Sequence, residues 1–178
     1  MKVLTQIAKW LFVLCLPPLM LSASIGLAFN SLWLYKYSLQ KYHASQVTGL
    51  ADTELEKGAR GLISYFNSSE GLINVTVEKD GQPFILFNER EIIDLQDVKG
   101  LVLLDYKIFS GMLIYALAYG GVSLLRPRRK YWRQLARLVA TGSGIALVLM
   151  LSLGLGVLFD FDRLLLQFHF ISFSNDFW

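Results

Sequence analysis

The chain has 178 residues, 54% of them hydrophobic and only 17% charged, and its mean hydropathy is +0.44. That is too apolar for an ordinary water-soluble domain. One cysteine and two histidines leave no internal disulfide and no metal-ligand cluster, so neither a metal nor another cofactor is expected.

Three charge-free stretches account for the hydropathy: 26 residues between Lys9 and Lys36, 18 between Lys107 and Arg126, and 22 between Arg137 and Asp160. About 20 apolar residues carry a helix across a bilayer, and an open strand in lipid would leave backbone groups unpaired. The chain therefore reads as mainly α, a polytopic membrane protein. The division is a first transmembrane helix at 1–36, an extracytoplasmic cap at 37–105 and a second span at 106–126. A basic cytoplasmic loop at 127–137, a third span at 138–159 and an extracytoplasmic aromatic, amphipathic segment at 160–178 follow.

The first span is too long for the apolar core of a signal peptide, and Pro17-Pro18 lies inside it rather than at a cleavage site. Cys15, between Leu14 and Leu16, lacks a lipidation box and reads as a small core residue.

The cap is expected to be a small α+β unit. Leu55, Ala59, Leu62, Ile63 and Phe66 recur at helical spacing, with Thr53 as the candidate cap. Ile73, Val75 and Val77 then alternate with polar residues up to Asp80-Gly81, which signals a hairpin whose turn needs positive φ at both positions. The second strand, Pro83 to Phe87, is apolar on both faces, so both should be covered by protein or membrane surface. Asn88-Glu89-Arg90-Glu91 reads as a helix start.

Between Arg126 and Arg137 there are six cations and no acid, whereas all fourteen acids lie in 37–105 and 160–178. Short basic loops stay cytoplasmic, so the amino terminus is placed inside and the cap and tail outside. The weaker alternative for the loop is an anionic-lipid or nucleic-acid patch. Because the +3 net charge is divided between oppositely charged segments, it implies no nucleic-acid partner. Ala116 and Gly120 in the second span, with Ala140, Gly144, Ser152 and Gly156 in the third, form small faces expected to bring these two helices together.

Two groups of side chains have chemical potential. Glu91, Asp94 and Asp97 fall three apart on one helical face, which suits either a solvated acidic surface or a cluster whose repulsion holds a proton donor near neutral pH. His169, within Phe168-His169-Phe170-Ile171-Ser172-Phe173, is either an interfacial anchor or a group that takes and gives a proton. His43 has no partner motif and reads as surface.

Taken together, His169 followed by Asn175, Asp176 and Trp178, and Glu91-x-x-Asp94-x-x-Asp97-Val98-Lys99, resemble motifs of the lipoprotein intramolecular transacylase (Lit) family. Tyr35, Tyr42 and Asp52-Thr53-Glu54-Leu55 match its extracytoplasmic start. The resemblance implies a membrane enzyme that moves an acyl chain from the glyceryl 2-oxygen to the cysteine α-amino group of a diacylated lipoprotein. It makes His169 and Asp94 the candidate catalytic pair, supported by Glu91, Asp97, Asn175 and Asp176. Asp94 stands where the family has a histidine, and this departure leaves a second reading, a non-catalytic relative that binds a lipoprotein or another envelope partner. The resemblance also implies a further amphipathic stretch and a fourth membrane helix after Trp178, and hence a carboxy-terminally incomplete chain.

Overall fold

The structure is a computed structural model and describes residues 2–126 and 129–172. Seven helices and a hairpin follow in order: α1 (Lys2–Phe29), α2 (Leu32–Lys41), α3 (Ala44–Thr48), α4 (Asp52–Phe66), β1 (Thr76–Lys79), β2 (Gln82–Ile85), α5 (Glu89–Leu124), α6 (Arg129–Phe159) and α7 (Phe161–Ser172). Three segments, Val3–Phe29, Glu89–Leu124 and Arg129–Phe159, are long and apolar enough to cross a membrane. The protein is thus a mainly helical, polytopic membrane protein, with one small antiparallel sheet among the described residues.

The helices do not break where the charges do. The first charge-free stretch is interrupted at Asn30–Ser31, and Ser31 starts α2 by accepting a hydrogen bond from Leu34 N–H at 3.4 Å. The acidic segment and the second span form one continuous helix, α5. Helix α6 begins at Arg129, inside the segment expected to be a loop.

The described residues form two compact units, 2–25 with 104–172 and 26–103. In the spanning unit, the Tyr115 hydroxyl donates to the Ala8 carbonyl at 2.9 Å, and the Cys15 thiol donates to the Met112 carbonyl at 3.3 Å. Phe12 stacks on Tyr119 with ring centroids 4.6 Å apart. Helix α6 meets α1 at Gly142, which is buried together with Ala146. A Cβ at Gly142 would come within 2.6 Å of Leu16 Cδ1 and 2.9 Å of the Val13 carbonyl oxygen. Pro17, four residues after Val13, has no N–H to offer that carbonyl. Glycine thus lets α6 close over an acceptor that the helix itself leaves without its usual donor, which matters where no water is at hand.

This corrects the expected small-residue faces. A Cβ at Gly120 or Gly144 would meet open space, and one at Gly156 would meet Leu164 of α7. Gly144 follows Gly142 by two residues, roughly 200° round the helix, so it points away from the close contact.

The cap unit has its own core of Leu50, Leu55 and Val77, against which Leu39, Ala44, Val75 and Leu86 pack. The hairpin register pairs Val77 with Phe84 and Lys79 with Gln82. Asp80 and Gly81 turn it at φ 53° and 77°, the double positive φ that the sequence predicts. The sheet lies close on α4, because a Cβ at Gly58 would strike Leu86 and one at Gly61 would strike Val75. Glu54 on α4 accepts from Glu78 N–H at 2.7 Å, and Lys79 Nζ donates to the Thr48 carbonyl at 2.9 Å.

One expectation for the cap changes and a second narrows. The α4 N-cap is Ala51, without a side-chain hydrogen bond, and Thr53 lies inside the first turn behind Asp52. The apolar β2 strand is exposed along its length among the described residues, so of the two covers expected for it, protein or membrane surface, protein is not the one. A two-stranded sheet with a helix on one side has no layer for the other. Ile85 on the outer face stays 64% exposed, and only Leu86, just past the strand, reaches the core.

Candidate functional site

The acidic motif occupies the first three turns of α5. Asn88 and Glu91 form a reciprocal capping box: Glu91 Oε2 accepts from Asn88 N–H at 2.8 Å, and Asn88 Oδ1 accepts from Glu91 N–H at 3.0 Å. Glu91 therefore has a structural task and its carboxylate turns toward the helix start. Asp94 and Asp97, both partly buried, follow on the same face at three-residue intervals.

Lys99 lies further along this segment and is 6% exposed. Its ammonium donates to the Glu70 carbonyl at 2.7 Å and to Ser68 Oγ at 3.2 Å, and it sits 4.1 Å from the centre of the Tyr65 ring. The Tyr65 hydroxyl donates to the Gly71 carbonyl at 3.0 Å, and burial pushes that phenol above its ordinary pKa. Lys99 and Tyr65 thereby tie the 68–71 turn to α5. The sequence motif includes Lys99 without indicating a task for it. The signal was present, because Leu95, Lys99 and Val102 fall at i, i+4 and i+7, which puts this lysine on the apolar stripe.

The candidate histidine lies on α7. Asp160 caps this helix, its Oδ1 accepting from Arg163 N–H at 3.1 Å. His169, partly buried in the last turn, has Nδ1 3.0 Å from the Leu165 carbonyl oxygen. A carbonyl only accepts, so Nδ1 carries the proton in this contact, and the lone pair of the neutral ring lies on Nε2. Phe168 meets the imidazole edge-on, with centroids 6.0 Å apart.

The expected pair is divided between the compact units, Asp94 with the cap and His169 with the spanning helices. Asn175 and Asp176 lie outside the described residues. On α5, Asp105 Oδ2 is shielded from solvent without a hydrogen-bond partner among the described residues. No group of three or more potential ligands that would suit a metal ion occurs among those residues.

Comparison with known proteins agrees with these features. A structure of the membrane-integral lipoprotein intramolecular transacylase Lit from Bacillus cereus superposes with a TM-score of 0.77 at 15% identity, covering 100% of this chain and 77% of the other. Two variant structures of that protein, with a histidine changed to arginine or to alanine, give TM-scores of 0.73 and 0.71 at 16% identity. Each covers 99% of this chain, and 73% and 74% of theirs. No curated protein sequence matches. The sequence model of the lipoprotein intramolecular transacylase Lit family matches residues 10–178. With the matched region running from the first span to the last residue, the chain belongs to the Lit family.

Proposed function

We propose that this chain is a membrane transacylase acting on a diacylated lipoprotein, moving an acyl chain from the glyceryl 2-oxygen to the α-amino group of the amino-terminal cysteine. The reaction needs no co-reactant. The amine nitrogen attacks the ester carbonyl, the acyl C–O bond breaks, an amide forms, and the glyceryl oxygen takes the proton that the amine loses.

His169 is the proton carrier in this reading, since its Nδ1–H is held by the Leu165 carbonyl and Nε2 is the nitrogen that accepts the proton. That hydrogen bond, on a histidine at the family motif position, is the observation that carries the assignment. Asp94 takes the place of the second family histidine and acts as a carboxylate acid or base, with Asp97, Asn175 and Asp176 supporting the pair. The catalytic groups are placed at the outer face of the cell membrane, with the amino terminus in the cytoplasm, because the basic stretch from Arg126 to Arg137 lacks acids.

Mass spectrometry of lipoprotein amino termini from cells expressing the chain tests this reading. Lyso-form lipoprotein is expected. His169→Ala should lower its yield by about 10²–10⁴-fold, the usual worth of a positioned acid–base group. Asp94→His, which restores the family residue, should keep or raise it. Absence of lyso-form product at good expression favours the non-catalytic binding role, and full activity of His169→Ala removes the histidine from the mechanism.

A further inference from the structure

The spanning unit has a polar feature of its own. A recess of about 610 Å³ lies between the amino-terminal turns of α1, the last turns of α5 and the first turns of α6. Lys9, Arg126 and Lys130 come to it from three different segments. Among the described residues no acid lines it, and their ion pairs, Lys36–Glu56, Lys57–Glu54 and Arg60–Glu56, all lie in the cap. Three cations gathered without a counter-charge among the described residues repel one another, and an anion from outside relieves that repulsion.

The rest of the lining gives the character of the anion. Leu4, Val122 and Leu135 supply an apolar wall beside the cations, and Leu4 and Val122 are 76% and 54% exposed. Arg126 sits over the Tyr131 ring at 5.0 Å, which steadies its guanidinium at the recess. A soluble anion has no use for the apolar wall, whereas a lipid has a phosphate for the cations and chains for the leucines. We propose that this recess holds the headgroup phosphate of an anionic membrane phospholipid, with its acyl chains along Leu4, Val122 and Leu135. The basic segment then has a lipid-binding task in addition to orienting the chain.

The test uses the purified full chain in mixed micelles containing phosphatidylglycerol, phosphatidylcholine of the same acyl chains, or inorganic phosphate. Phosphatidylglycerol should raise the melting temperature saturably, and phosphatidylcholine and inorganic phosphate should not. Native mass spectrometry of the unaltered chain should show about one phosphatidylglycerol retained with at least tenfold preference over phosphatidylcholine, roughly what a few cations near an anionic surface supply. The double variant Arg126→Gln/Lys130→Gln should lose the shift. Arg133→Gln/Arg137→Gln, which removes the same charge outside the recess, should keep it. Equal loss in both doubles means diffuse charge and overturns the site. A shift of the same size with inorganic phosphate overturns the lipid, and no lipid preference in the unaltered chain overturns both, whatever the variants' folding.

Discussion

In the cap, polar side chains bridge elements: Lys36 and Arg60 converge on Glu56, Lys99 holds the turn at 68–71, and Asn67 Nδ2 donates to Asn30 Oδ1 at 2.7 Å. In the spanning unit, helices meet through a missing side chain at Gly142, a stacked Phe12–Tyr119 pair and hydrogen bonds that end on backbone carbonyls, Tyr115 to Ala8 and Cys15 to Met112. The difference follows from the solvent. Water beside the cap lets charged groups stay solvated until they pair, whereas lipid offers nothing to an unpaired charge and gives apolar helices no hydrophobic drive to associate. Close packing and the covering of stray carbonyls do that work in the span.

The sharpest break of this comparison is at Gly142. Leucine there must displace a backbone oxygen as well as Leu16, and overpacking of this kind costs about 1–3 kcal/mol or more. The same change at Gly144 meets open space. Melting in detergent should fall for Gly142→Leu and stay unchanged for Gly144→Leu. Equal behaviour of the two variants would mean that α6 does not close on α1 through glycine. In the cap, Gly61→Val should also destabilise, because its new side chain runs into Val75 under the hairpin.

Much of this was legible in the sequence, for identifiable reasons. Long charge-free stretches have one physical solution in lipid, so the three spans follow from counting. The Asp80-Gly81 turn and the inward Ile73, Val75 and Val77 follow from backbone sterics and the two-residue strand period. Which glycine meets a neighbour did not follow. Small residues at four-residue spacing occur on more than one face of α6, and only the partner's position selects Gly142. Glu91 was legible as an acid in a first turn, but its engagement in a capping box depends on where α5 starts, one residue after Asn88. His169 was recognisable by its motif, but its Nδ1 contact with the Leu165 carbonyl was not, since the helical i−4 relation supplies it only once α7 forms.

A smaller effect is expected at Lys99. Lys99→Met keeps the apolar stem and removes the ammonium, which leaves the Glu70 carbonyl without its donor. An unsatisfied buried acceptor costs about 1–3 kcal/mol, offset here by water reaching a turn near the surface. Amide exchange at residues 68–71 should accelerate, while alkylation of buried Cys15 stays slow. Unchanged exchange at the turn would show that Tyr65 and its hydrogen bond to Gly71 hold it without the lysine.

The smallest effect belongs to Glu56, where the cap's use of charge can be titrated. Hydrogen bonds from Lys36 and Arg60, at 2.8 and 2.7 Å, hold its carboxyl below the usual glutamate value near 4.5. A group whose pKa is lowered by folding stabilises the fold above its unfolded value, and that contribution is lost as pH falls through the folded value. Lys36 and Arg60 are exposed, Glu56 is partly so, and salt screens all three, so the pair joins α2 to α4 weakly. Glu56→Gln should therefore melt slightly below the unaltered chain at neutral pH and low salt. The gap should narrow as pH drops below about 4.5 and as salt rises. In lipid the counterpart has no such pH dependence, because the Gly142 contact contains no titrating group. Because glutamine keeps both methylenes of glutamate, a gap at Glu56 that is the same at pH 7 and pH 3.5 would show that the carboxylate's charge is not what holds α2 against α4.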